Sequence, residues 1–160
     1  MKRVLLCILG FLIIIMQNSI INYLSIFGMT INLVLIYLVI ISLYLGELES
    51  GIIGAIFGII IDFSVGGIFG TNALIFFVIS YMVSYLRNKV YKESSIMIFT
   101  IILASTFIYC GASFLFAKLL FNVCKFTWII KMILVPIINS FVGVLLYKIF
   151  KNPILKLEEE

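Results

Sequence analysis

Asp62 is the residue in this sequence that is chemically most informative. It follows the apolar residues Gly58-Ile59-Ile60-Ile61 and precedes Phe63. A charge at the centre of a membrane helix costs about 2.5 to 3.5 kcal/mol on insertion scales, so a carboxylate there needs a partner. A proton relay would need a second intramembrane acid or a histidine, and the 160 residues contain no histidine. We therefore predict a structural role for Asp62, at the junction of the third and fourth helices.

Neutral groups are the expected partners of Asp62, because no lysine or arginine lies in a neighbouring apolar run. Polar side chains, or backbone N–H groups freed where Gly66-Gly67 interrupts the helix, can offset a carboxylate. Alternatively, the helix ends at Phe63 and leaves Asp62 near water. If the role is structural, Asp62→Asn should largely preserve assembly and Asp62→Leu should weaken it. The side-chain candidates are Asn32, Asn72, Asn139, Ser140 and the tyrosine hydroxyls.

The other reactive residue types are not arranged for catalysis. Glu47 and Glu49 share one short, glycine-bounded segment that is predicted to be a solvated loop, where nothing distinguishes an acid from a base. Cys7, Cys110 and Cys124 form no C-x-x-C pair and have no histidine to complete a zinc or haem site. No base accompanies the serines or tyrosines. The sequence therefore predicts no enzyme activity, no metal and no cofactor.

Composition indicates that lipid surrounds most of the chain. Hydrophobic residues make up 64% and charged residues 11%, whereas soluble domains carry about 25% charged residues. The runs 4–16, 31–46 and 96–117 contain no charged residue. The net charge of +4 comes without a basic patch interleaved with aromatics, so nucleic acid is not an expected partner.

The chain is predicted to be all-α, with six transmembrane helices in a single integral membrane domain over 1–160. A bilayer core about 30 Å thick needs roughly 17 to 25 helical residues per span. Met1-Lys2-Arg3 resembles a secretory signal, but no small-residue cleavage site follows, so this segment should remain as the first helix. The predicted helices cover about 4–21, 31–45, 51–63, 71–86, 94–120 and 128–150, with a kink at Pro136 and a solvated tail.

The distribution of lysine and arginine orients these helices. If the N-terminus is cytoplasmic, basic residues are concentrated on the inner side, as the positive-inside rule requires. Both termini are therefore predicted to lie in the cytoplasm, and the chain in the cytoplasmic membrane. The inner side holds eight basic residues (Lys2, Arg3, Arg87, Lys89, Lys92, Lys148, Lys151, Lys156) and the outer side three (Lys118, Lys125, Lys131).

Small residues line one face of the third predicted helix. Gly51, Gly54, Gly58 and Asp62 follow one another at intervals of three, four and four residues, so they share one stripe. Small faces let helix backbones approach closely in membranes, where the hydrophobic drive for association is weak. We predict that this stripe, with Gly70 in the following turn, is a packing seam within the chain or an interface with a partner.

A longer pattern surrounds this stripe. It starts with Ile31-Asn32-Leu33 before the second helix, includes the stripe ending at Asp62, and finishes with Phe69-Gly70-Thr71-Asn72-Ala73-Leu74. In order and spacing it resembles the MreD family of bacterial rod shape-determining membrane proteins. Ile31 stands where that family usually has proline, and Phe69 where it commonly has leucine, so a divergent member is implied.

The resemblance implies six helices, cytoplasmic ends and a non-catalytic role in the cell-elongation complex that makes peptidoglycan and maintains cell shape. The implied partners are MreC, MreB, RodA and the elongation transpeptidase, besides the lipid bilayer. The family's fold is similar to the substrate-binding subunits of energy-coupling-factor vitamin transporters, which gives the alternative function. Asn32, Asp62, Asn72 and Asn139 could line a pocket, but the first helix lacks a small Ala-x-x-x-Ala face.

Overall fold

A computed structural model of the chain describes residues 2–21, 30–65, 69–89, 94–121 and 127–159. Within these ranges the regular structure is entirely helical. A π-helical turn, Gln17–Ile21, extends the first helix, and a 3-10 turn, Arg87–Lys89, follows the fourth. The six α-helices are α1 (Lys2–Met16), α2 (Leu33–Ser42), α3 (Glu47–Val65), α4 (Thr71–Leu86), α5 (Ser95–Phe121) and α6 (Thr127–Glu159).

Three helices have boundaries that differ from the sequence prediction. α3 begins at Glu47 rather than near Gly51, so the predicted acidic loop is its first turn, where carboxylates are favoured by the positive helix end. α2 is shorter than predicted at both ends, because Asn32 caps its start and Leu43 its end instead of joining it. α6 continues to Glu159. Pro153 removes one helical hydrogen bond, but the Leu, Lys and Glu residues after it favour helix. The kink at Pro136 stays a prediction.

α2 lies at the centre of the bundle. Its ten residues are LVLIYLVIIS, and Val34 to Ser42 are all buried. A helix that is apolar on every side is expected to be enclosed by other elements. Its first turn is closed by Asn32, whose side-chain oxygen accepts the N–H of Leu35 at 3.0 Å.

Amide side chains hold the start of α2 against α1 and α6. The side chain of Gln17 accepts the N–H of Leu33 at 2.8 Å and donates to the carbonyl of Ile31, also at 2.8 Å. The N–H of Asn32 donates to Oδ1 of Asn139 in α6 at 3.2 Å. Three helices therefore meet through neutral hydrogen bonds at this point, as expected for polar groups inside an apolar bundle.

The other end of α2 is held by α4 and α6, and we call this side of the bundle the Arg87 end. The carbonyl of Leu45 accepts from Ser84 Oγ at 2.6 Å and from Arg87 Nη1 at 2.7 Å. The hydroxyls of Tyr44 and Tyr147 are 2.8 Å apart and join the chain after α2 to α6. Arg87 is also the C-cap residue of α4, where a cation offsets the partial negative charge of the helix end.

α3 and α4 form an antiparallel hairpin packed along the glycine stripe. A Cβ atom at Gly54 would lie 2.6 Å from the carbonyl oxygen of Phe76. A Cβ atom at Gly58 would lie 2.6 Å from the carbonyl carbon of Asn72 and closer still to the backbone of Ala73. Because the colliding atoms are backbone, a side chain at either glycine would force the two helices apart.

Two stretches are long and apolar enough to cross a membrane by length and composition, Ser95–Leu119 in α5 and Lys131–Ile149 in α6. Core helices of soluble proteins pass the same test but are mostly buried. Here only 22% of the α5 window and 28% of the α6 window are buried inside the chain. α5 has 27 residues and a length of about 40 Å, so it exceeds the bilayer core.

The seam predicts a difference between two glycine-to-alanine variants. Gly58→Ala should lower stability by about 1–3 kcal/mol, because the added methyl group overlaps the backbone of Ala73. At Gly111 in α5 an added Cβ meets only Met132 Cε, at 3.5 Å, so Gly111→Ala should be neutral. Thermal unfolding of each variant in the same detergent measures this. Equal midpoints for the two variants would contradict the close approach.

Candidate functional site

Asp62 lies in the last turn of α3 and is only 4% exposed. Its Oδ2 accepts the backbone N–H groups of Gly70 at 2.9 Å and Ala73 at 3.3 Å. Its Oδ1 accepts the backbone N–H of Asn72 at 3.2 Å and the side-chain Nδ2 of Asn72 at 2.8 Å. The carboxylate of one helix therefore closes the first turn of the next helix, and we call this side of the bundle the Asp62 end.

The N-terminus of α4 needs a hydrogen-bond acceptor from another part of the chain. The first N–H groups of a helix have no partners inside it, and a side chain at the N-cap usually accepts them. The N-cap of α4 is Gly70, which has no side chain and adopts a left-handed conformation with φ 92°. Asp62 supplies the missing acceptor, and its charge opposes the partial positive charge of the helix end.

The hydrogen bonds also indicate the chemical form of Asp62. All four contacts are donated to the carboxyl group, two to each oxygen. A protonated acid would present one hydrogen to these donors, so the ionised carboxylate fits the site better. In the part of the chain that the structure describes, the charge is offset by the α4 terminus and an amide, with no lysine or arginine hydrogen-bonded to it.

Asn72 carries the network on to α5. Its Oδ1 accepts the hydroxyl of Tyr109 at 3.0 Å. The ring of Tyr109 also packs on Phe76, with ring centroids 5.6 Å apart. Because a tyrosine hydroxyl donates to Oδ1 and a carboxylate accepts from Nδ2, both neighbours fix the same orientation of the Asn72 amide. The chain Asp62–Asn72–Tyr109 joins three helices.

The four predicted side-chain candidates occupy different places. Asn72 contacts Asp62, as described above. Asn32 and Asn139 contact each other at the start of α2, and Ser140 donates to a carbonyl of its own helix at 2.7 Å. Of the four candidates, Asn72 is therefore the partner of Asp62, and the predicted alternatives Asn32, Asn139 and Ser140 are wrong. The physical reason is that the side chain of Asn32 caps its own helix, α2, and that Asn139 and Ser140 lie on α6, which packs chiefly on α5 and α2.

The stripe glycines face α4, so the structure uses this surface inside the chain. Gly54 and Gly58 meet its backbone. A Cβ atom at Gly51 would lie 2.9 Å from Cε2 of Phe77, a side chain that can move. Gly70 differs, since an added Cβ would meet nothing within 4 Å and its left-handed φ is the constraint. The small face is thus covered by α4 instead of being open to a partner.

Sequence reasoning did not single out Gln17, Arg87 or Tyr109 as contact residues. Gln17 had a usable signal, because it continues the inward spacing of Leu6, Gly10 and Ile14 at intervals of four and three residues. Arg87 and Tyr109 gave no comparable signal. Their bonds go to a carbonyl and an amide more than thirty residues away in sequence, and tertiary packing alone selects them.

The described hydrogen bonds of Asp62 and Asn72 serve contacts between helices. Every hydrogen-bonding atom of the Asp62 carboxyl group is occupied, and no second titratable carboxyl group lies in the described network. No group of three or more His, Cys, Asp or Glu residues in the described ranges could hold a metal ion. The network is chemically a helix cap that also links a third helix.

The two apolar helices of membrane length, whose surfaces are mostly exposed, are consistent with a helical protein that inserts into a membrane. The family model for the rod shape-determining protein MreD matches residues 1–156. The chain belongs to the MreD family, which confirms the resemblance found between Asn32 and Leu74 and supports a role in rod-shape determination. No curated protein and no solved structure matches the chain. The likeness to vitamin-transporter subunits therefore has no support from these comparisons.

The geometry revises the expected effect of Asp62→Asn. An asparagine has one acceptor oxygen for four donors, and its own N–H groups would face N–H groups of α4. Asp62→Asn should therefore lower stability by about 1–3 kcal/mol, and Asp62→Leu by more, since it leaves all four donors unpaired. Thermal unfolding in detergent tests this order, with the exposed Ser64→Ala in the same helix as control. Wild-type stability of Asp62→Asn would show that the second oxygen is dispensable.

Proposed function

We propose that this protein is a non-catalytic membrane scaffold of the bacterial cell-elongation complex, supporting cell shape and peptidoglycan synthesis. The observation that carries the proposal is the MreD match over 1–156. The structure adds that the main buried polar network serves helix contacts. MreC, MreB, RodA and the elongation transpeptidase are the proposed partners, and they rest on family membership.

The proposed arrangement is one multi-pass domain over 1–160, with six spans and both ends in the cytoplasm, in the cytoplasmic (inner) membrane. α3 and α4 have 19 and 16 residues, or about 24–28 Å, close to the bilayer core. α2 has ten residues, about 15 Å, so it needs its flanking segments to complete a crossing. The Arg87 end would face the cytoplasm, because eight of the eleven basic residues lie on that side in the predicted topology.

The contact surface for partner helices is proposed to lie on α5 and α6. These two helices carry long outward apolar faces, including Leu115 on α5 and Phe141 and Leu145 on α6. The small-residue stripe of α3 is already covered by α4. Partners inside the bilayer would therefore meet bulky side chains, whose packing depends on shape complementarity more than on close backbone approach.

The proposal can be tested in a rod-shaped bacterium depleted of its own MreD. The chain is expressed with the MreC protein of the same genome, as wild type, Gly58→Leu or Gly111→Ala. Wild type and Gly111→Ala should restore rods and copurify MreC. Gly58→Leu should do neither at equal membrane level, because the side chain would separate α3 from α4.

Two results would contradict the scaffold. One is restoration of rods by a Gly58→Leu protein that no longer binds MreC. The other is a small organic molecule that copurifies with the wild-type chain in equal amount and is retained on dialysis, which would favour the vitamin-binding alternative.

A further inference from the structure

α3 and α4 are short for helices that cross a bilayer. α4 has 16 residues and is followed directly by Arg87. α3 carries two glutamates in its first turn, so the part that can lie in hydrocarbon runs from Ser50 to Val65. Each of these stretches is about 24 Å long, whereas a typical bilayer core is about 30 Å thick.

α6 gives a similar length from the positions of its charges. Lys131 and Lys148 are both exposed and enclose an uncharged stretch about 25 Å long. Leu134, Phe141 and Leu145 follow Lys131 at helical spacing and are also exposed, so this side of α6 would face lipid. A lysine on such a side extends its ammonium group to the membrane interface. Lys131 and Lys148 therefore mark two interfaces that are closer together than in a typical bilayer.

The start of α4 and Lys131 lie at nearly the same level of the bundle. Asn72, in the first turn of α4, accepts the hydroxyl of Tyr109 of α5. Two residues further along α5, a Cβ atom added at Gly111 would lie 3.5 Å from Cε of Met132, the residue after Lys131. The two positions are thus separated by about one helical turn along α5. Two separate helices therefore indicate one membrane boundary at the Asp62 end.

α5 exceeds this thickness only at the Asp62 end. Between the Tyr109 contact and the Arg87 end, α5 and α4 extend equally far, to the first residue of α5 and the last of α4. In the other direction α5 continues to Phe121, for about 18 Å, and we call residues 110–121 the α5 overhang. α5 has buried residues up to Thr106, and none of the residues 107–119 is buried. The described bundle thus leaves the overhang largely uncovered.

We propose that this protein fits a bilayer core about 25 Å thick and thins the surrounding membrane by about 5 Å, with Lys131 and the start of α4 at the boundary. The inference rests on the membrane arrangement proposed above. A flat core of about 30 Å would draw either Lys131 or the Arg87 end into hydrocarbon, whereas a bilayer yields to a short span at modest cost. Thinned lipid favours neighbouring helices with equally short spans, so this feature would also bias which helices assemble beside the scaffold.

Thermal unfolding in lipid nanodiscs of increasing thickness tests this fit. The full chain is placed in phosphatidylcholines whose chain length sets the hydrocarbon core from about 22 to about 34 Å. The midpoint of the wild type should be highest near a core of about 25 Å and should fall in thicker bilayers. In Lys131→Leu the maximum should move to the next thicker lipid, because α6 then continues without a charge through residues 127–130.

Lys118→Leu is the matched control, because it removes the same charge on the same side of the membrane, from an exposed position in the α5 overhang. Lys118 lies about 13 Å past Tyr109 along α5, beyond the proposed boundary, so this variant should keep the wild-type maximum. A wild-type maximum at about 30 Å or more, or an equal shift in the two variants, would overturn the proposal.

Two further outcomes are decided by the same series. If Lys131→Leu gives no folded protein, the thickness at which the wild type is most stable decides alone. A wild-type chain that stays soluble when detergent is removed, without entering nanodiscs, would contradict the membrane arrangement itself and this inference with it. Insertion with a maximum at the wrong thickness would contradict only the inference.

Discussion

The structure depends on a carboxylate of one helix that closes the first turn of the next. In an apolar bundle, Asp62 and the free N–H groups of α4 would each be costly alone, because neither finds water. Together they satisfy each other through contacts of 2.8 to 3.3 Å. The turn at Gly70 is built around this exchange, since a glycine there gives the left-handed backbone that brings α4 back to α3.

Several features of the bundle follow from that contact. It fixes the relative position of α3 and α4, and the glycines then let the two backbones approach along the rest of the hairpin. The α3–α4 packing thus depends on two features. Gly54 and Gly58 have no side chains to separate the helices, and Asp62 caps α4. Tyr109 extends the arrangement to α5, while at the other end Arg87 joins the end of α4 to the Leu45 carbonyl in the turn between α2 and α3. Charged residues are few in this chain, and Asp62 at the start of α4 and Arg87 at its end have the signs that suit the two helix termini.

The sequence was sufficient for features that depend on local spacing. Intervals of three and four residues place Gly51, Gly54, Gly58 and Asp62 on one face whatever the tertiary structure, and the structure shows all four facing α4. Spacing could not select Asn72 over Asn32 or Asn139, because that choice depends on which helices are neighbours. It also could not decide that Glu47 starts α3, since a glycine-bounded acidic segment suits a loop and a helix N-terminus equally well. Family membership, in contrast, was readable from the pattern around Asp62.

A scaffold role agrees with this use of polar groups, since they set helix positions instead of a reaction centre. The direct test of the central contact uses the fact that Asp62 is the only aspartate, the other six acidic residues being glutamates. Solid-state NMR of protein labelled with carbon-13 at the aspartate carboxyl and nitrogen-15 at asparagine side-chain amides, in lipid, should give one ionised carboxylate signal. That signal should be dephased by a nearby amide nitrogen in wild type and lose this dephasing in Asn72→Ala. A protonated carboxyl signal, or dephasing equal in both proteins, would contradict the cap.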